Sequence, residues 1–145
     1  MKVRPAALIL NNGSVLTMRY QYGSEFLYVL PGGNPDAGEA LPAALERELQ
    51  EELQIKVEVG AMVMSGEVLE FGKKEDCLHC LFLGTLTEGV PEIDREHTTA
   101  ESVEWIPLDR LQEVALYPNF APYLTVGFST DTCLYTGPLE QVYVG

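Results

Sequence analysis

GNPDAGEALPAALERELQEELQI, residues 33–55, is the stretch on which the reading of this chain turns. From Glu39 to about Gln54 it has helical spacing. At ~100° per residue, Leu41, Leu45, Leu49 and Leu53 fall in one stripe. Glu52 lies inside that stripe, Glu48 on its edge and Glu51 a step further round, whereas Glu46 and Gln50 lie on the far face. Carboxylates four residues apart repel. Carboxylates drawn in among leucines also lose hydration and resist ionising. Protonation, basic partners or a metal ion would relieve the conflict. Only nine Lys and Arg serve the whole chain. Arg47 is the one basic residue in the helix, and it can pair with Glu51 one turn on or with Glu39. A hard dication such as Mg2+ or Mn2+ suits an all-oxygen site with water positions left open. The competing reading, a solvated charge run at a helix end, is opposed by the positions on the wheel.

Pro31, Gly32 and Gly33 precede the helix. Glycine bares the backbone, so that a phosphate can approach it closely. Glu39 is expected in the first helical turn, where a negative charge is favoured. Pro42 is tolerated there because first-turn amides need no intrahelical acceptor.

The whole stretch resembles the Nudix box, G-x5-E-x7-R-E-U-x-E-E-x-G-U with U aliphatic. Gly33, Glu39, Arg47, Glu48, Leu49, Glu51, Glu52 and Ile55 match; Gln54 stands where the family has glycine. The resemblance implies an α/β (α+β) fold, an α/β/α sandwich around a mixed β-sheet. It implies metal-dependent hydrolysis of a nucleoside diphosphate linked to another moiety, with Mg2+ or Mn2+. Glu48 and Glu52 would be the main metal ligands and Glu51 a further ligand or base. Arg47 would orient them, Glu39 would support it, and Gly33 would bring a backbone carbonyl toward the metal. The family often adds an acid from a later loop. Glu96 and Glu101 are favoured over Glu92, being nearer the strand that holds Trp105.

For the substrate, Gly32, Gly33, Arg19, Phe26, Tyr28 and His79 are the candidates. Phe26 and Tyr28 are read as lying on opposite faces of their strand, so that one points to the site. His79 sits in "CLHC", Cys77–Cys80, which lacks the four ligands of a zinc site and reads as structural. Arg19 and Lys73 or Lys74 could meet a phosphate. No mark of a particular Nudix subgroup is present, and nucleoside triphosphates or nucleotide sugars are slightly favoured. A non-catalytic nucleotide or ADP-ribose-binding module is the alternative. Such members usually lose box glutamates, and this chain keeps them.

Outward from the box, β-rich runs flank Asn11-Asn12-Gly13, a strong hairpin signal. EFLYV, IKVEVGAMVMSGEVLEF with a break at its glycine, CLHCLFLGTLT and SVEWI read as strands. PLDRLQEVAL reads as a helix begun by proline, and PNFAPYLTVGF as a short one. One domain over residues 1–145 is expected. The tail from Ser129 to Gly145 has no clear pattern and is read as strand-like and packed on a partner subunit, which with the family favours a homodimer.

A net charge of −13 argues against a nucleic-acid surface, which needs a basic patch. No run is long and apolar enough to span a membrane, and the N-terminus lacks the pattern of a signal peptide. Three cysteines suggest a reducing compartment, hence cytoplasm.

Overall fold

Asn12 and Gly13 both take positive φ, 51° and 77°, in the computed structural model, which describes residues 1–140. They turn β1 (Lys2–Asn11) back into β2 (Ser14–Tyr22), as tight hairpins require. The hairpin is brief. Only Leu10↔Val15 and Asn11↔Ser14 pair before the strands part. Beyond that point β2 pairs antiparallel with β3 (Glu25–Val29) and β6 (Ser102–Pro107), while β1 runs parallel to β5 (Cys77–Glu88). β4 (Lys56–Val68) lies antiparallel on β5. With β7 (Leu116–Tyr117) and β8 (Leu134–Tyr135), the order is β7-β3-β2-β1-β5-β4-β8, and β6 lies on β2.

β1 shows why helices must cover both faces. Ala6 and Leu8 enter one apolar cluster, Ala7 and Ile9 another, as the two-residue period of a strand dictates. The second cluster is closed by Leu45, Leu49 and Leu53 of α1 (Leu41–Leu53). The first is closed by Leu111 of the 3-10 turn Leu108–Glu113 and by Ala121 and Leu124 of α2 (Ala121–Thr125). The result is the expected α/β/α sandwich around a mixed sheet.

Some boundaries differ from the sequence reading. α1 starts at Leu41, with Ala40 extended at its N-cap, so Glu39 stands outside the helix. Its carboxylate is engaged elsewhere, as described below. PLDRLQEVAL forms only the six-residue 3-10 turn. The glycine break in the long fourth strand is a register irregularity between Val59 and Met62 within a continuous β4. The tail is strand-like, but β8 pairs parallel with Met64 and Ser65 of its own chain, and Leu139 is buried in the first cluster. Through residue 140 it therefore gives no argument for a partner subunit; residues 141–145 of that expectation lie outside the described residues. No helix among the described residues is long and apolar enough to cross a membrane.

Gln54 ends α1 in the left-handed conformation, φ 59° and ψ 36°, with its N–H donated to the Gln50 carbonyl at 3.1 Å. A side chain there costs about 1–2 kcal/mol. Gln54→Gly is expected to stabilise the chain by about 1 kcal/mol. The loss of the exposed 3.3 Å bond from the Gln54 amide to the Glu92 carbonyl offsets little of it. A urea melt of the two proteins measures the difference.

Candidate metal and catalytic site

After β3 the chain crosses to the edge that β1 exposes once β2 has left it. The Ala7 N–H donates to the Pro31 carbonyl at 2.8 Å, and the Gly33 N–H to the Pro5 carbonyl at 3.4 Å. Ala6 and Gly32 form a bridge. The approach needs glycine. A methyl group on Gly32 would strike the Pro5 carbonyl, and one on Gly33 would overlap the Glu48 carboxylate. The Glu48 side chain therefore lies directly on the bare Gly33 backbone.

Arg47 ties the acids together. Its Nε and one terminal nitrogen donate to the two Glu39 oxygens, each at 2.9 Å. The other terminal nitrogen donates to Glu48 at 3.1 Å and Glu51 at 3.2 Å. Asn34 offers its carbonyl at 3.2 Å, and Asp36 lies 3.5 Å away. Sequence reasoning left Arg47 a choice between Glu39 and Glu51; the guanidinium takes both, and Glu48 as well. Hydrogen bonds from Arg47, and then from the Asp36 N–H, hold the Glu39 carboxyl down to about 2.

Glu52 receives no hydrogen bond from Arg47 among the contacts of the described residues. Burial beside the α1 leucines, followed by the nearby Glu48 charge, pushes its carboxyl up to about 7. The site thus concentrates carboxylate charge at one spot and leaves it short of cation.

The segment after β5 completes this end of the helix. The Glu92 N–H donates to the Leu53 carbonyl at 3.0 Å and the Asp94 N–H to the Glu52 carbonyl at 2.9 Å. These satisfy carbonyls that every helix C-terminus leaves open. The clipped loop places Glu96 and His97 beside Glu52, in a cleft of about 360 Å3 that Tyr20, Arg95 and Thr98 also line. The Tyr20 hydroxyl bonds Thr98 Oγ1 at 3.0 Å.

The remaining candidates lie elsewhere. Glu101 is absent from that cleft's lining; its carboxylate is 3.9 Å from Arg19. Arg19 also faces Glu104 at 3.7 Å and stacks over the Phe26 ring at 4.4 Å. Tyr20 turns to the cleft, so its neighbour Arg19 turns away. Phe26 and Tyr28 do not occupy opposite faces. Residues two apart in a strand share one, and they pair with Gln21 and Arg19 on β2. Tyr28 packs on the first cluster, away from α1.

His79 and Cys77 share one face of β5 and Cys80 takes the other, as expected; His79 is 1% exposed. Tyr117 Oη is 3.3 Å from its Nε2, the rings meeting edge to face. Its Nδ1 is buried without a partner. Burial, then the charges of Arg4 and Lys2, push it down to about 4, so it is neutral near pH 7. Sequence reasoning missed Tyr117 and His97 as neighbours of the candidate groups. The signal for His97 was its place next to Glu96; Tyr117 carried none, since only the return of β7 to β3 brings it to His79.

The donor set fits a hard divalent ion. Glu48 and Glu52 offer oxygen, and the Gly33 backbone is held open beneath Glu48. Among the described residues no three carboxylate, His or Cys side chains converge tightly enough to hold an ion alone. Magnesium sites commonly use one or two carboxylates, with water and substrate phosphate completing the shell.

A family model described as the NUDIX domain matches residues 1–125. Among solved structures, the chain is similar to the E. coli ORF135 protein (25% identity, 86% of this chain and 87% of that one covered, TM-score 0.65). It is similar to a MutT NUDIX hydrolase from Burkholderia pseudomallei (26% identity, 74% and 84%, TM-score 0.65). It shares its fold with an ADP-ribose pyrophosphatase from Streptococcus suis (20% identity, 92% and 97%, TM-score 0.69). No curated protein matches the chain.

Proposed function

The chain belongs to the NUDIX family of hydrolases, and from that premise we propose that it hydrolyses a nucleoside diphosphate linked to another moiety, with Mg2+ or Mn2+. The observation that carries the proposal is the trio of Gly33, Glu48 and Glu52. One carboxylate is seated on a bare backbone, and its half-buried neighbour raises its own proton affinity instead of finding a base. Nucleoside triphosphates and nucleotide sugars remain the favoured substrates, with ADP-ribose third. We place the activity in the cytoplasm, on the strength of the cysteine usage.

Glu48, Glu52 and the Gly33 backbone would hold the ion, with Glu51 as a further ligand. When bound, it neutralises the diphosphate and acidifies a water. Arg47 fixes the Glu48 and Glu51 carboxylates by hydrogen bonds, so their geometry is set before substrate arrives. Glu96 makes no side-chain hydrogen bond among the described residues and stands in the Glu52 cleft. From there it would take the proton of the attacking water. The water oxygen then bonds to phosphorus, and the bridging oxygen leaves with its electron pair.

Glu96→Gln is expected to lower kcat by about 10²-fold or more, and Glu101→Gln by less than about tenfold, because the Glu101 carboxylate faces Arg19. Equal losses in the two variants would remove Glu96 from this role. The test of the function itself is a panel of nucleoside triphosphates, ADP-ribose and uridine diphosphate sugars with Mg2+ or Mn2+, read by released phosphate. Turnover of at least one that stops with chelator is the expected result. Failure on all of them sinks the proposal.

A further inference from the structure

The chain has five arginines. Four are engaged: Arg19 by Glu101 and Glu104, Arg47 by the box acids, Arg95 by the carbonyls of Ala100 and Glu101, and Arg110 by Glu113. Arg4 makes no side-chain hydrogen bond or ion pair among the described residues. Yet it is half-buried, in a chain with 22 acidic side chains. A guanidinium withdrawn from water wants acceptors for five N–H groups.

Its position says which acceptors. Arg4 precedes Pro5, whose carbonyl receives the Gly33 N–H, and it is the first β1 residue beyond the contact with Pro31–Gly33. Its partner on β5 is His79, so the two share a face. Its charge reaches Glu52 and Tyr20 as well as His79, Cys77 and Tyr117. Arg4 therefore shares the first-cluster face with Ala6, His79 and Tyr117, next to the Pro5 carbonyl that holds the Gly33 backbone beneath Glu48. A diphosphate seated at Glu48 and Glu52 through a dication has oxygens turned away from that ion. They need a cation of their own, and a planar guanidinium can meet two at once.

We propose that Arg4 is a substrate-binding residue that holds the diphosphate oxygens turned away from the box carboxylates. The assignment rests on the hydrolase reading above. Losing a charge-assisted bond of this kind costs about 10- to 100-fold in affinity.

Two variants test it, Arg4→Gln and Arg4→Lys. KM is measured on the panel substrate turned over fastest. Binding of imidodiphosphate, a non-hydrolysable diphosphate, is measured by calorimetry with Mn2+, beside titrations of Mn2+ alone. Arg4→Gln is expected to raise KM and weaken imidodiphosphate by about 10- to 100-fold, with kcat changed less and Mn2+ alone bound no more weakly. Arg4→Lys should recover part of the loss. If Arg4→Gln binds imidodiphosphate within about twofold of wild type and keeps its KM, the assignment falls while the hydrolase reading stands. If wild type turns over nothing on the panel and binds no imidodiphosphate, both fall. Should Arg4→Gln fail to fold, Arg4→Lys decides: a shifted KM at unchanged Tm supports the assignment, and a shifted Tm at unchanged KM overturns it.

Discussion

Glu52→Gln is expected to lower kcat by about 10²- to 10⁴-fold while the chain still folds. The amide keeps the size of the carboxylate among the α1 leucines and removes the charge that a divalent ion needs. The same variant carries a second signature without metal. In the folded chain the Glu52 carboxyl is pushed up to about 7 by burial and by Glu48, from an ordinary 4.5. Below the ordinary value it is protonated in both folded and unfolded chains and costs nothing. Between about 4.5 and 7 the unfolded chain gives up the proton first, so stability falls as pH rises. At pH 8, without metal, Glu52→Gln should be the more stable protein by about 2 kcal/mol, and the gap should close near pH 4. Saturating Mn2+ should reverse it, because only wild type gains from the ion. Melting curves at the two pH values, with chelator and with Mn2+, measure this. A pH-independent gap would show that Glu52 is not ionising inside the fold.

Gly33→Ala is expected to cost about 10²-fold in kcat/KM, with both the Glu48 carboxylate and the backbone beneath it displaced. The substitution adds one methyl group, and that methyl has no room: it would overlap the Glu48 carboxylate. Gly38→Ala provides the contrast, since the space around Gly38 is open and its positive φ of 77° penalises only the fold. The expected pattern is therefore a split. Gly33→Ala loses Mn2+ affinity by titration calorimetry, whereas Gly38→Ala loses Tm and keeps its metal. Full metal affinity in Gly33→Ala would show that Glu48 does not act from this position.

The α1 stripe was legible because its four leucines and the acids among them obey one angular period. The Asn12–Gly13 turn was legible because few dipeptides accept two positive φ values. The start of α1 was not. It is set by Arg47, which claims Glu39 across eight residues, and a periodicity reading cannot see a side chain recruited away from a first turn. The choice between Glu96 and Glu101 was also invisible, since both occupy one polar loop. The proposal of Glu96 rests on the register of β2 on β6, which puts Ser102 opposite Arg19 and so leaves Glu101 at that guanidinium. Arg4 escaped notice for a related reason. An arginine in a first strand looks like any exposed charge until it is seen to be half-buried with no ion pair among the described residues.

The clip that fastens the loop to the end of α1 uses main-chain groups only, the Glu92 and Asp94 amides on the Leu53 and Glu52 carbonyls. Main-chain fastening is indifferent to residue type, proline excepted. The exposed Glu92 side chain can therefore change without unseating the clip, whereas Asp94, Arg95 and Thr98 brace the rest of the loop through side chains of their own. That gives an engineer two exposed positions, Glu92 and Thr99, to vary on this loop while Glu96 and the box acids are left as they are.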